Sequence, residues 1–536
     1  MQSGTLLPLR TESLFIVFRL QQEGFEVFIV GGAVRDTLRF SLLSEDQKPT
    51  FPTMDYDFAT NAKPEEIQAI FPESFYENSF GTVTITTEQL NKQPGMDWSI
   101  LSFPEQTYPV SNRLIDLAAA TKIHASLTAS ARQATKPATH EKFEITTYRS
   151  KELYDNHRTP SSMLWGTTIA EDLQRRDFTI NAIALRISQK SLASIFSAAQ
   201  TTALPPLYPL KLEQDIFLYD TERGLPDLAA GIIRTVGNPH KRFEEDALRL
   251  LRAIRFSVQL DMSIEPATWQ AIIDQSKLIT HVSGERVRDE FLKMLSSTQP
   301  KRAIELLDEA RLLDHILPEL LQGKSVFQGG HHTTDVWTHS LDALAACPSP
   351  DPIVRLATLI HDIGKPETVR YGNGKPTFYN HEVVGSRIAK NICYRLRLSK
   401  QDGEKVFILV RQHMFHYQPH NTDASIRRFM RNVGLEHIDD ILDLREADRL
   451  GSGARKTSWR LEEMKERMLS QLHQPFDITD LAINGHDLIE SLGMKPGREL
   501  GTVLAQLFTI VLEEPEKNTR DTLLALAKEL LHSEKP

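Results

Sequence analysis

The stretch "TMDYDFAT", residues 53–60, sets two aspartates one position apart among aromatic and apolar residues. In a β-strand side chains alternate faces, so Asp55 and Asp57 would share one face, with Tyr56 and Phe58 on the other. Two carboxylates held that close repel, and the arrangement is costly unless a cation sits between them. An isolated DxD is usually a solvated strand edge or a turn, so its neighbours decide. Upstream, the strand-like "EVFIV" (26–30) runs into "GGAVRD" (31–36). Gly31 and Gly32 let backbone approach a ligand, a helix N-terminus beyond them offers amides to an anion, and Arg35 adds a bidentate phosphate donor. Glu144, flanked by apolar residues in "FEIT", supplies a third carboxylate on a strand of its own. A glycine turn, an aspartate pair and a further carboxylate can form a two-metal phosphoryl-transfer site in which the carboxylates hold Mg²⁺.

Two later segments carry polar groups suited to nucleotide binding: "EDLQRRDFTINAIAL" (171–185) and "EEDALRLLRAIRF" (244–256). On a continuous helix Asp246 and Arg249 are neighbours on one face, Arg252 extends the row, and Arg255 points elsewhere. The ordinary result is an intrahelical salt bridge worth roughly 0.2–0.5 kcal/mol. The alternative is base reading, because a carboxylate accepts from an exocyclic amine and a guanidinium donates to ring acceptors. Cytosine and adenine both present an amino donor beside a ring acceptor, so one Asp–Arg pair would select both without a template.

Residues 331–450 hold dispersed histidines in "HHTTDVWTHS", "LIHDIGKPET", "NHEVVGSRIAK" and "RQHMFHY", followed by "LREADRL". A single histidine is most often a surface or satisfied core residue. The adjacent His361–Asp362, with His339 upstream and Asp448 downstream, is a more specific pattern. Imidazoles and carboxylates suit Mn, Fe, Ni, Co, Zn or Mg.

These residues need elements to hold them. Strands are expected at 26–30, 81–87 and 143–149 and a helix at 63–71, giving a small mixed α+β region. Between 88 and 140 lies a Ser-, Thr-, Pro- and Ala-rich insertion, and 188–212, with its Pro-Pro, reads as a second irregular surface stretch. From about 240 the pattern is helical, 321–334 reads as a linker, and the tail reads as two short helices joined by a Pro-Gly turn. The division expected is 1–187, 188–325, 326–455 and 456–536. A chain of 536 residues exceeds one hydrophobic core, and 25% charged with 40% hydrophobic residues is ordinary for a soluble protein. Two cysteines fit a reducing cytoplasm, no segment spans a membrane, and a net charge of −9 confines RNA contacts to local basic patches.

The motifs "GGAVRD", "DYD", "RRDFTINAIA" and "EDALRLLRAIRF" resemble, in order and approximate spacing, the bacterial tRNA nucleotidyltransferase/poly(A) polymerase family, with the class II CCA-adding enzymes most alike. The resemblance implies a polymerase-beta-like palm followed by an all-α neck and body. It also implies template-independent addition of C and A to tRNA 3′ ends from CTP and ATP. By position it assigns Asp55 and Asp57 to metal, and Gly32 and Arg35 to the triphosphate. Arg176 and Asp177 would contact nucleotide, Asn181 the sugar, Asp246 and Arg249 the base edge, and Arg252 and Arg255 the nucleotide. Glu144 matches a third carboxylate that not all relatives retain. Two departures are the 88–140 insertion and about ten extra residues before "DYD". The histidine set resembles the HD phosphohydrolase superfamily, with His381 and His413 where two-metal members carry further ligands; a divalent transition metal is implied there. Poly(A), CC-only or A-only addition on the same scaffold is the near alternative. An HD phosphohydrolase acting on RNA ends or nucleotides is the alternative from another class.

Overall fold

The computed structural model describes residues 4–42, 56–77, 81–90, 92, 142–154, 160–198, 204–205, 207–329, 334–372, 375–415, 417–418, 420–455 and 458–533. Asp55 and most of the 88–140 insertion lie outside the described residues. The described residues divide into two compact units, the first ending at Ile316 and the second beginning at Leu317.

The first unit is built on a seven-stranded mixed sheet. In chain order the first eleven described strands are β1 (Leu6–Arg10), β2 (Val27–Val30), β3 (Tyr56–Thr60), β4 (Phe75–Glu77), β5 (Thr82–Thr86), β6 (Lys142–Thr147), β7 (Arg149–Tyr154), β8 (Pro160–Trp165), β9 (Ala184–Ile187), β10 (Leu207–Lys211) and β11 (Ile216–Tyr219), of which β2 to β6, β9 and β11 form the sheet. The order is β11-β9-β2-β3-β6-β5-β4. All four residues of β2 are buried, as expected for a β-branched and aromatic run near the middle of a sheet. On β3 the aromatic face is buried, with Tyr56 1% and Phe58 0% exposed, and both rings pack on Phe143 of β6. Asp57 therefore faces the other way, as the alternation requires. Strand β6 runs parallel to β3, with Glu144 the register partner of Asp57.

Two expectations are corrected here. Where it is described, the stretch 188–212 is folded: Gln189–Ala198 is a helix that buries Leu192, Ile195 and Phe196. Leu207–Lys211 is a strand (β10) paired antiparallel with β1 (Leu6–Arg10). The apolar residues sit at i, i+3 and i+4, a helical spacing diluted by Ser, Ala and Gln, and Phe196 stacks on Phe18 at 4.7 Å. The helix expected to run through Asp246 is instead broken there. Helix Pro239–Glu245 ends at Asp246, whose backbone is extended (φ −147°, ψ 103°), and helix Leu248–Leu260 follows. The Asp246 carboxylate accepts from the Leu248 amide at 3.1 Å, a local bond by which aspartate competes with continuous helix.

Among the described residues, the strands of the second unit form one short hairpin, Arg370–Gly372 with Lys375–Thr377, and the rest of its regular structure is helical. The stretch 321–334, read as a linker, is folded where it is described: the Val336 amide donates to the Val326 carbonyl, Phe327 bridges to Asp335, and Gln328 is buried. In the tail, helices Gly485–Leu492 and Arg498–Glu513 flank the Pro-Gly turn and share a core of Leu488, Leu507, Phe508, Val511 and Leu523. The second of these helices, at 16 residues, is not short. No described helix is long and apolar enough to cross a membrane.

Gly364, two residues after Asp362, lies where two backbones cross. A Cβ there would stand 2.2 Å from the His381 carbonyl oxygen and 2.5 Å from the Gly385 amide nitrogen. Only glycine lets helix His381–Arg395 approach this closely. Gly364→Ala is expected to cost about 2 kcal/mol, the scale of overpacking a dense interior. The measurement is the urea midpoint; an unshifted midpoint would show that the crossing has room to spare.

Candidate functional site

The first constellation gathers where β2 meets helix Gly32–Leu42. Gly31 takes a left-handed conformation (φ +73°), and a Cβ on it would lie 3.1 Å from both Asp57 Oδ2 and Arg176 Nη1. Asp57 and Arg176 thus flank a backbone that has no side chain between them. Arg176 is held by Asp172, which accepts from its Nε at 3.2 Å and its Nη2 at 3.1 Å. Burial alone would raise the Asp172 carboxyl, but Arg176 and Arg175 bring it below the ordinary value. Glu144 sits beside Asp57 in register and is exposed. The structure thus brings together Gly31, Asp57, Glu144 and Arg176.

A second chain of contacts runs behind them. Arg35 is buried and donates to Asp36 through Nε (2.7 Å) and Nη2 (2.8 Å) and to Asn181 Oδ1 through Nη1 (2.7 Å). Asn181 Nδ2 donates to Asp177 Oδ1 at 3.0 Å, and Arg252 Nε donates to Asp177 Oδ2 at 2.8 Å. Burial pushes the Asp177 carboxyl up, but Arg252 and Asn181 outweigh it and hold the group well below the carboxylate range. Arg255 pairs with Glu290 (2.5 Å), and the guanidiniums of Arg35, Arg252 and Arg255 all lie 4.1–5.2 Å from the Phe256 ring centroid.

Asp246 and Arg249 do not pair through their side chains along one helix face. Arg249 Nη1 donates to Glu245 (2.8 Å) and to the Arg242 carbonyl (2.9 Å), while Asp246 Oδ2 accepts from Arg286 (2.8 Å). Sequence reading missed Asp172, Glu245, Phe256, Arg286 and Glu290. Glu245 was findable, four residues before Arg249. Arg286 and Glu290 sit 40 and 35 residues from their partners, and no local spacing signals them.

The second constellation lies in the second unit, where all six expected residues converge. His339 comes from helix Val336–Ala346, His361 and Asp362 follow helix Pro352–Leu359, and His381 opens helix His381–Arg395. His413 closes helix Lys400–Gln412, and Asp448 lies on helix Ile438–Gly451. Asp362 Oδ2 stands 3.4 Å from His339 Nε2 and 3.2 Å from His361 Nε2. Its Oδ1 stands 3.3 Å from His381 Nε2 and 3.6 Å from His413 Nε2. Asp448 Oδ1 closes the first group, 3.2 Å from His339 Nε2. His361, His381 and His413 each place Nδ1 2.7–2.8 Å from a backbone carbonyl, which leaves Nε2 for the cluster. Burial would raise Asp362, but His361 and Lys365 hold it well below the usual value. Lys365, whose Nζ is 2.6 Å from Asp362 Oδ2, is a further member that sequence reading missed. A cavity of about 110 Å³, lined in part by His413, Phe415, Arg445 and Arg449, adjoins the cluster.

Residues 27–113 and 90–201 match the family model described as the Poly A polymerase head domain, and 384–527 match tRNA nucleotidyltransferase domain 2. Residues 261–323 match the "Probable RNA and SrmB- binding site of polymerase A". The A-adding tRNA nucleotidyltransferase of Deinococcus radiodurans is 33% identical over 354 residues, covering 63% of this chain and 74% of that protein. The CCA-adding enzyme of Pediococcus pentosaceus is 26% identical over 516 residues, covering 96% of each. Among solved structures, the Bacillus stearothermophilus CCA-adding enzyme in complex with CTP shares the fold, with a TM-score of 0.59 and 24% identity over 97% of each chain. The matched head-domain residues include the strands that carry Asp57 and Glu144, and the chain belongs to the bacterial tRNA nucleotidyltransferase family.

Proposed function

We propose that this chain adds C and A to tRNA 3′ ends from CTP and ATP, without a nucleic-acid template. The observation that carries this reading is the meeting of Asp57, Gly31 and Arg176 beside Glu144 at one edge of a sheet face. The terminal ribose hydroxyl attacks the α-phosphorus, a new phosphodiester bond forms, and the bond to the β-phosphate bridging oxygen breaks to release pyrophosphate. Asp57 and Glu144 are hard oxygen donors on one sheet face and fit Mg²⁺; with Asp55 they would hold it. Bound there, the metal would lower the pKa of the attacking hydroxyl and offset triphosphate charge.

The chain's own groups do the rest. Gly31 keeps the approach to Asp57 free of side-chain atoms, and Arg35 and Arg176 present cations to the triphosphate. The Asp177–Asn181 pair faces the sugar, and Arg252 and Arg255 border the nucleotide. Asp246 and Arg249 read the amino group and the adjacent ring acceptor that cytosine and adenine share. On this reading 1–187 is the palm and 188–325 the selecting neck and body. Residues 326–455 are the HD domain and 456–536 the tail. A tRNA-processing role fits the cytoplasm.

A second activity is favoured by the six converging residues: metal-dependent phosphohydrolysis at an HD-type centre. Ligands about 2.1 Å from one ion stand roughly 3–3.5 Å apart, which matches the spacing around Asp362. Its two oxygens face two groups of donors, so His339, His361, Asp362 and Asp448 would hold one ion and Asp362, His381 and His413 a second.

Two experiments test these readings. Labelled CTP and ATP are offered, singly and together, to tRNA transcripts ending before CCA, after C and after CC. Addition of CCA and then a stop is expected, with Asp57→Ala slower by about a thousandfold while tRNA binding is retained. A alone would mark an A-adding enzyme, long A tracts a poly(A) polymerase, and full activity in Asp57→Ala would overturn the metal assignment. For the second centre, Asp362→Ala is expected to lose tightly bound transition metal, measured by elemental analysis, along with hydrolysis of p-nitrophenyl phosphate esters. Nucleotide addition should be unchanged, and equal metal content in both proteins would remove Asp362 from the ligand set.

A further inference from the structure

Asp246 has the unusual position of a polar residue at a break between two helices, with each carboxylate oxygen fixed by a different element. Oδ1 accepts from the Leu248 amide at 3.1 Å, on its own chain segment. Oδ2 accepts from Arg286 Nη2 at 2.8 Å, across 40 residues, from helix Gly284–Leu295. Two anchors on two oxygens fix the carboxylate plane and leave one lone pair on each oxygen for a ligand. Arg249, three residues on, is the nearest competing cation along the chain, and it is held away by Glu245 and by the Arg242 carbonyl.

We propose that Arg286 is the positioning residue for base selection: it holds the Asp246 carboxylate in the orientation that accepts from a nucleobase amino group. This rests on the assignment of Asp246 to the base edge. Without the guanidinium, the Asp246 carboxylate is left with one anchor and is free to rotate toward Arg249. The two side chains then satisfy each other, and the acceptor and donor that distinguish cytosine and adenine from uracil and guanine are both lost. Helix Gly284–Leu295 already braces this region, since Glu290 on it takes Arg255 at 2.5 Å. Arg286 differs from Glu290 in acting on the carboxylate itself, and with Asp246 20% exposed its removal leaves that carboxylate in partial contact with solvent.

The test compares kcat/KM for CTP, ATP, UTP and GTP in single-nucleotide addition by the full chain and by Arg286→Ala, Arg286→Lys, Asp246→Asn and Arg286→Ala/Asp246→Asn. The expected result for Arg286→Ala is a fall of about tenfold in the ratio of CTP to UTP and of ATP to GTP, the scale of losing one well-oriented base contact. Most of it should appear as a gain for the wrong bases and a higher KM for the right ones. Arg286→Lys should recover part of the ratio, and the double variant should lose no more than Asp246→Asn. An equal fall for all four nucleotides, or additive losses in the double variant, would overturn the proposal and leave Arg286 as a structural brace. If Asp246→Asn keeps its selectivity, the base-reading assignment itself fails; if it loses selectivity while Arg286→Ala and Arg286→Lys keep theirs, only the role of Arg286 fails.

Discussion

The Asp177 carboxylate, buried between the Asn181 amide and the Arg252 guanidinium, ties the segment that leads into β9 to the helix Leu248–Leu260. Taking one partner from such a buried pair leaves an uncompensated charge, at a cost of roughly 3–5 kcal/mol. The contact is therefore fixed, and other positions follow from it. Asn181 is held by Asp177 and in turn holds Arg35. Arg252 and Arg255 stay over the Phe256 ring together with Arg35, three like charges that Asp36, Asp177 and Glu290 keep tolerable. The cationic side of the proposed nucleotide site is thus held in place by carboxylates.

That arrangement explains which parts of the site the sequence revealed. Period-two alternation around Asp57, the glycine turn at Gly31 and the strand at Glu144 are local patterns, and each was legible where the structure describes it. The break at Asp246 was not, because the apolar spacing on either side is helical and only the bond from its own carboxylate to the Leu248 amide interrupts it. The helix Gln189–Ala198 was hidden by small and polar residues around Leu192, Ile195 and Phe196. Arg286 and Glu290 could not be read at all, since their roles depend on which helices pack together, whereas Lys365 stands only three residues after Asp362 and its spacing was overlooked. Asp172 lies four residues before Arg176, a spacing that carried the signal, but the pair stands beside a more prominent motif.

The histidine cluster was legible as a set because its ligand types are rare together, while the way Asp362 is shared was not. Its physical problem is the reverse of the one at Asp177. There, donors outnumber acceptors around a carboxylate. Here His381 and His413 each commit the Nδ1 proton to a carbonyl oxygen, at 2.8 and 2.7 Å, so in their neutral forms both Nε2 atoms carry lone pairs. Those two nitrogens stand 3.2 Å apart and face Asp362 Oδ1, another acceptor. Three acceptors aimed at one point repel unless a cation occupies it. A proton on one imidazole can join only part of the set, and burial together with the neighbouring His361 lowers the affinity of His413 for it. In the proposed centre a divalent ion would satisfy all three at once, and the carbonyl-bound Nδ1 protons would keep the imidazoles aimed at it. Apolar side chains would fill the same space without the repulsion, so packing alone does not account for this geometry.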